Sequence, residues 1–132
     1  MFVINKDDKS IHLTRGDIAV IVAEAETEDP ENSEVKLPYT FAVGDIVRLT
    51  VYEKKKPENV VLQKDVEVSA TAETVDIELT KGDTKIGGYI SKPTNYHYEI
   101  ELNPDTAPQT IIGHDKDGPK LFVLYPEGGE VE

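Results

Sequence analysis

The most chemically suggestive stretch of the chain is "HDKDG", His114 to Gly118, where two aspartates stand just before a glycine. Such a run could open a calcium loop, which needs oxygen ligands at its first, third and fifth positions, glycine at the sixth and a bidentate glutamate at the twelfth. Counting from Asp115, and with Asp117 third, the fifth position is Pro119, the sixth Lys120 and the twelfth Pro126, so the ligand set stops after its first half. The apolar runs on either side, "QTII" and "KLFVLY", read as strands instead, and Asp-Gly between two strands is a strong hairpin signature. The expectation is a hairpin turn with no metal ligands.

The other candidates are weaker. His12, His97 and His114 lack the spacing of a helical metal motif, and none stands beside a serine in a nucleophile-elbow context. All three read as solvated surface histidines. His114 could be oriented by Asp115 as a general base, but no nucleophile or oxyanion donor accompanies it. Glu99 with Glu101, and Asp76 with Glu78, put two carboxylates on one strand face about 7 Å apart, a separation that glycosidases share. Pairs of this kind occur on most acidic strands, and no aromatic subsite stands beside these. "RGD" at Arg15 to Asp17 has the letters of an adhesion tripeptide, yet it runs straight into an apolar strand and reads as a turn. No glycine-rich phosphate loop or basic stripe exists. The sequence therefore assigns no catalytic, cofactor-binding or metal-ligating residue, and the chain is expected not to be an enzyme.

The elements that would have to position any site are strands. In "YHYEIEL", Tyr96, Tyr98, Ile100 and Leu102 share one face while His97, Glu99 and Glu101 share the other, as a half-buried strand requires. Val47, Leu49 and Val51 form the inward set of "DIVRLTVYE", and Val75, Ile77 and Leu79 that of "TVDIELT". "DIAVIVA" from Asp17 and "KLFVLY" from Lys120 are apolar on both faces, which suggests central strands or strands covered by a neighbouring chain. "FVIN", "IHLT", "NVVLQ", "VEVS" and "QTII" are shorter candidates. "VAEAETEDPENSEV", interrupted by Pro30 and dense in acids, reads as an exposed loop, and "LTKGDTKI" allows at most one turn of helix. The Gly-Asp pairs Gly16-Asp17 and Gly44-Asp45 precede strong strands, where glycine supplies an unusual backbone angle and aspartate caps the turn. Roughly eight to ten short strands with Gly, Pro, Asn and Asp turns predict an all-β fold, a β-sandwich or small barrel.

Composition narrows the class. A chain of 132 residues has the size of one domain, expected to span 1–132, with enough length to bury a core. The absence of cysteine excludes disulfides, thiolate metal sites and a cysteine nucleophile. Charge arrives within the first residues, so no secretory leader is expected, and no run reaches the length of a membrane span. A formal net charge of -12 and a pI of about 4.6 repel phosphate backbones and anionic lipid, so neither nucleic acid nor membrane is an expected partner.

Taken in order, "LTRGDIAVIVA", "YTFAVGDIVRLTVYEK", "TVDIELTKGDT", "NYHYEIELN" and "GPKLFVLYPEGG" resemble the immunoglobulin-like N-terminal domains of upper-baseplate and tail-fibre proteins in phages and prophages of Gram-positive hosts. The resemblance runs from about Leu13 to Gly129. It implies an immunoglobulin-like antiparallel β-sandwich and a virion structural protein, made in the bacterial cytoplasm, which docks onto other tail or baseplate proteins, commonly within a homo-oligomer. It implies no catalytic residues and no cofactor. Relatives often continue into a coiled coil or a receptor-binding head, whereas this sequence ends at Glu132. A compact acidic β domain without site chemistry suits docking through edges and faces.

Two other readings stand beside this one. A carbohydrate-binding sandwich would use Tyr39, Tyr89 and Tyr96 as ring platforms, although 7% aromatic content without tryptophan is poor in such platforms. A hydrolase would use the surface carboxylates. If docking holds, the contact surface is expected on a strand edge or on the outer side of "DIAVIVA" or "KLFVLY", with Phe122 either in the core or in the contact.

Overall fold

The computed structural model describes residues 2–4, 8–29, 31–86, 90, 92–113 and 118–126. Strands β1 (Phe2–Ile4), β2 (Ile11–Thr14), β3 (Ala19–Ala23), β4 (Glu26–Asp29), β5 (Asn32–Pro38), β6 (Ile46–Glu53), β7 (Val60–Glu67) and β8 (Val75–Leu79) precede a four-residue helix, α1 (Lys81–Thr84). Strands β9 (Thr94–Leu102), β10 (Gln109–Ile112) and β11 (Lys120–Tyr125) follow it. The protein is mostly β, as the alternation of apolar and polar residues predicts.

The main sheet runs β1-β2-β11-β9-β6-β7 and curls into a half-barrel. Its pairs are antiparallel except β2 with β11, which run parallel with Ile11 opposite Phe122 and Leu13 opposite Leu124. Over its inner face lies a two-stranded sheet, β3 with β8. The two sheets share one hydrophobic cluster. Val47, Leu49 and Val51 of β6, Tyr98, Ile100 and Leu102 of β9, and Phe122 and Leu124 of β11 meet Ile21 of β3 and Ile77 and Leu79 of β8. Removing this apolar surface from water at about 25 cal/mol per Å² is the main force holding the layers together.

The turns follow from their residues. Gly44 has φ +95°, a left-handed value that strains any side chain, and Asp45 behind it accepts from the Ala42 N–H, the Tyr39 hydroxyl and the Asn103 Nδ2. Gly16 has φ +89°. Thr80 caps α1 by accepting from the Asp83 N–H, while the Asp83 carboxylate accepts from the Thr80 N–H. This reciprocal capping box explains why one turn of helix forms in "LTKGDTKI".

Four expectations are corrected. "VAEAETEDPENSEV" is not a loop: β4 and β5 form a hairpin there, closed at its base by the Tyr39 N–H donating to the Ala25 carbonyl. "NVVLQ" and "VEVS" belong largely to one strand, β7, which runs along β6. "DIAVIVA" is not central, because β3 pairs with β8 alone among the described residues and leaves Val20 and Val22 exposed. "QTII" and "KLFVLY" do not form a hairpin with each other. Strands β10 and β11 lie end to end along one edge of β9, which pairs with β6 on its other edge. The reversal of direction occurs earlier, at "NPDTAP", where Asn103 takes φ +49° and its carbonyl accepts from the Thr106 and Ala107 N–H groups.

Candidate functional site

The outer face of β3 breaks the burial pattern, since Ile18, Val20 and Val22 are three of the six exposed large apolar side chains among the described residues. Ala19, Ile21 and Ala23 point into the core, so by period two Ile18, Val20 and Val22 point outward, with 68%, 41% and 50% of their surfaces exposed. Their cross-strand neighbours on β8 are acidic: Val20 stands opposite Glu78, and Val22 opposite Asp76. Beside this face opens a cleft of about 690 Å³. Ile21, Val22 and Glu26 line one side of it, and Ile11, Tyr98 and Ile112 the other. No residue of β8 contributes, so the cleft opens on the side of β3 away from its partner strand. Tyr98 sits at its base and donates its hydroxyl to the Lys9 carbonyl; burial pushes that phenol well above its usual range. Among the described residues the arrangement offers apolar surface and a strand edge without a partner strand.

A second, shallower groove of about 500 Å³ crosses the outer face of the main sheet, lined by Thr50, Tyr52, Lys54, His97, Glu99 and Pro119 among others. His97 is half-buried with its ring 5.9 Å from that of Tyr52, so it is less solvated than its polar strand face suggests. Glu99 is also half-buried. Burial, and then the charge of Glu101, raise its carboxyl above the ordinary range. Of the paired carboxylates of β9, Glu99 thus lies at this groove and Glu101 does not, while Asp76 and Glu78 lie on the exposed face of β8.

The structure also brings together a serine and a histidine that the sequence reading kept apart. Ser10 Oγ lies 2.9 Å from His12 Nε2, and His12 Nδ1 lies 3.1 Å from the Tyr125 hydroxyl. Ser10 Oγ has a better acceptor, however, in Asp8 Oδ1 at 2.7 Å, which also takes the Ser10 N–H. Those bonds hold the Asp8 carboxyl below its usual range. With the serine proton directed to Asp8, Nε2–H of His12 donates to Ser10 Oγ and Nδ1 accepts from Tyr125. The chain of contacts pins β2 to β11 and does not present an activated nucleophile. Its only sequence signal was the i, i+2 spacing of Ser10 and His12, since Tyr125 is 113 positions from His12.

The remaining candidates separate cleanly. Arg15 is only 7% exposed and Gly16 turns the chain, so "RGD" is not displayed as an adhesion loop. Tyr39 is half-buried, edge-on to Phe41 at 5.3 Å, and its hydroxyl serves Asp45; Tyr96 is half-buried in β9. Neither offers an open ring platform to a sugar. Phe122 is fully buried and therefore core. His114, Asp115, Asp117 and Tyr89 lie outside the described residues. Among the described residues no cluster of three or more His, Cys, Asp or Glu side chains could hold a metal, and no helix is long and apolar enough to cross a membrane. No family model, curated protein or solved structure matches the chain.

Proposed function

We propose that this protein is a structural docking module of a phage or prophage tail or baseplate, acting through protein–protein contacts and without catalysis. The observation that carries the docking reading is the apolar row Ile18, Val20 and Val22, exposed on and just before a strand that has one paired edge among the described residues, a feature that water penalises unless a partner covers it. The tail context comes from the ordered motifs between Leu13 and Gly129. An immunoglobulin-like sandwich is the finer reading of the fold, and strand order supports it. In that fold the strand order G-F-C-C′ faces a sheet containing B and E. What supports the reading is that the order β11-β9-β6-β7, with β3 paired to β8 in a second sheet, can be aligned with that arrangement. The departures from an antiparallel sandwich are a main sheet that is mixed through the parallel β2–β11 pair and curls into a half-barrel, a second sheet of two strands, the β4–β5 hairpin between β3 and β6, and the division of one edge of β9 between β10 and β11.

Fractionation of particles tests the function. The protein is expected to copurify with tails and to bind at least one tail protein directly; absence from purified tails with no such binding would end the proposal.

A further inference from the structure

The edge of β3 and the cleft beside it carry a more specific statement, which rests on the docking reading. We propose that β3 accepts an added strand from another protein, an extended segment of alternating apolar residues that carries lysine or arginine.

The geometry is that of strand addition, in which main-chain hydrogen bonds supply affinity and alternate side chains supply specificity. Among the described residues strand β3 has one paired edge, and the cleft lies beside the other at Ile21 and Val22. Exposed edges in soluble proteins are normally blunted by lysine, proline or a bulge. The sequence "AVIVA" contains neither residue, and its register with β8 runs without interruption from Ala19 to Ala23. An incoming strand has two faces. Its outward side chains would lie beside Val20 and Val22, and its inward ones would enter the cleft towards Ile11, Tyr98 and Ile112. Both observations therefore ask for the same occupant, apolar at the alternate positions that face the cleft and, on its outer face, carrying long side chains whose stems lie over Val20 and Val22.

Charge selects the occupant further. Glu24 and Glu26 stand on the cleft wall, and Asp76 and Glu78 on the outer face, against Lys9 as the cation of the lining. A second copy would bring the same acids and the same net charge of -12 to the contact, whereas a cationic segment complements it.

Selection of a randomised peptide library against the full chain tests this. Enriched peptides are expected to alternate apolar residues and to contain lysine or arginine. In fluorescence anisotropy their affinity should fall roughly tenfold or more when Val20→Lys and Val22→Lys are combined, because cations then meet cations. N-methylation of alternate peptide amides should cause a similar loss, and Glu58→Lys in the β6–β7 turn should cause none. Circular dichroism checks that both variants fold. A selection without enrichment, enriched acidic peptides, equal binding by the doubly substituted protein, or a dimer that Val20→Lys and Val22→Lys dissolve would overturn the proposal. Recovery of the protein in tails together with an empty selection removes strand addition alone. Enrichment as expected with no recovery in tails removes the tail reading and leaves the edge as a binding site.

Discussion

Asp45 shows how much one side chain can organise here, since it accepts from Ala42, Tyr39 and Asn103 and so ties the turn before β6 to the turn after β9. The Ala42 N–H, followed by the Tyr39 and Asn103 donors, holds its carboxyl below the usual range. Asp45→Ala should cost about 1–3 kcal/mol in urea unfolding at neutral pH. Because the folded pKa is depressed, that contribution is present above the unfolded value of about 3.9 and lost as pH falls through the folded one, so the two proteins should converge in acid. Glu99 has the opposite sign. Its folded pKa is raised, so its charged form opposes folding above that pKa and the penalty disappears in acid. Glu99→Gln is expected to raise the melting temperature by about 2 °C at pH 7 and to leave it unchanged near pH 3. Of these two sites, the Gly44-Asp45 turn was legible because its chemistry is local. The contact of Asn103 with Asp45, like that of Tyr125 with His12, joins residues that no short window contains.

Strands with one clear apolar face were the most legible elements: Val47, Leu49 and Val51 are buried as their alternation predicts, and so are Val75, Ile77 and Leu79. Pairing was less so. "QTIIGHDKDGPKLFVLY" has the local marks of a hairpin, yet β9 supplies a longer edge that accepts both flanking runs in succession. The acidic β4–β5 hairpin escaped because its strands lack an apolar period and, among the described residues, pair only with each other. That isolation makes it dispensable. Replacing residues 27–37 by a short Gly-Ser turn should preserve the circular dichroism of the remaining sheet and move the melting temperature by only a few degrees, roughly what loop-closure entropy predicts. In β11 the opposite holds. Phe122→Asp would bury an unpaired carboxylate in the core and should abolish cooperative unfolding in a thermal melt, rather than merely weaken assembly.

At the scale of the whole molecule, acidity is the dominant property, and it was fully legible. Self-repulsion at a net charge of -12 opposes compaction, so added sodium chloride should raise the melting temperature at pH 7 in scanning calorimetry. Acid relieves that repulsion but also discharges Asp8, Asp45, Asp65 and Asp83, whose carboxyls are all held below their usual range. The melting temperature should therefore fall steeply below about pH 4, as these native carboxylates are protonated. The parallel pairing of β2 with β11 sets a different kind of limit. It joins Ile11 to Phe122, and the chain between them must be ordered before that pairing repays its entropy. During synthesis the main sheet lacks the strand between β2 and β9 until residues 120–125 have emerged from the ribosome. Folding is thus slow for a domain of this size, and the nascent chain exposes its apolar strands to chaperones until residues 120–125 are available to pair.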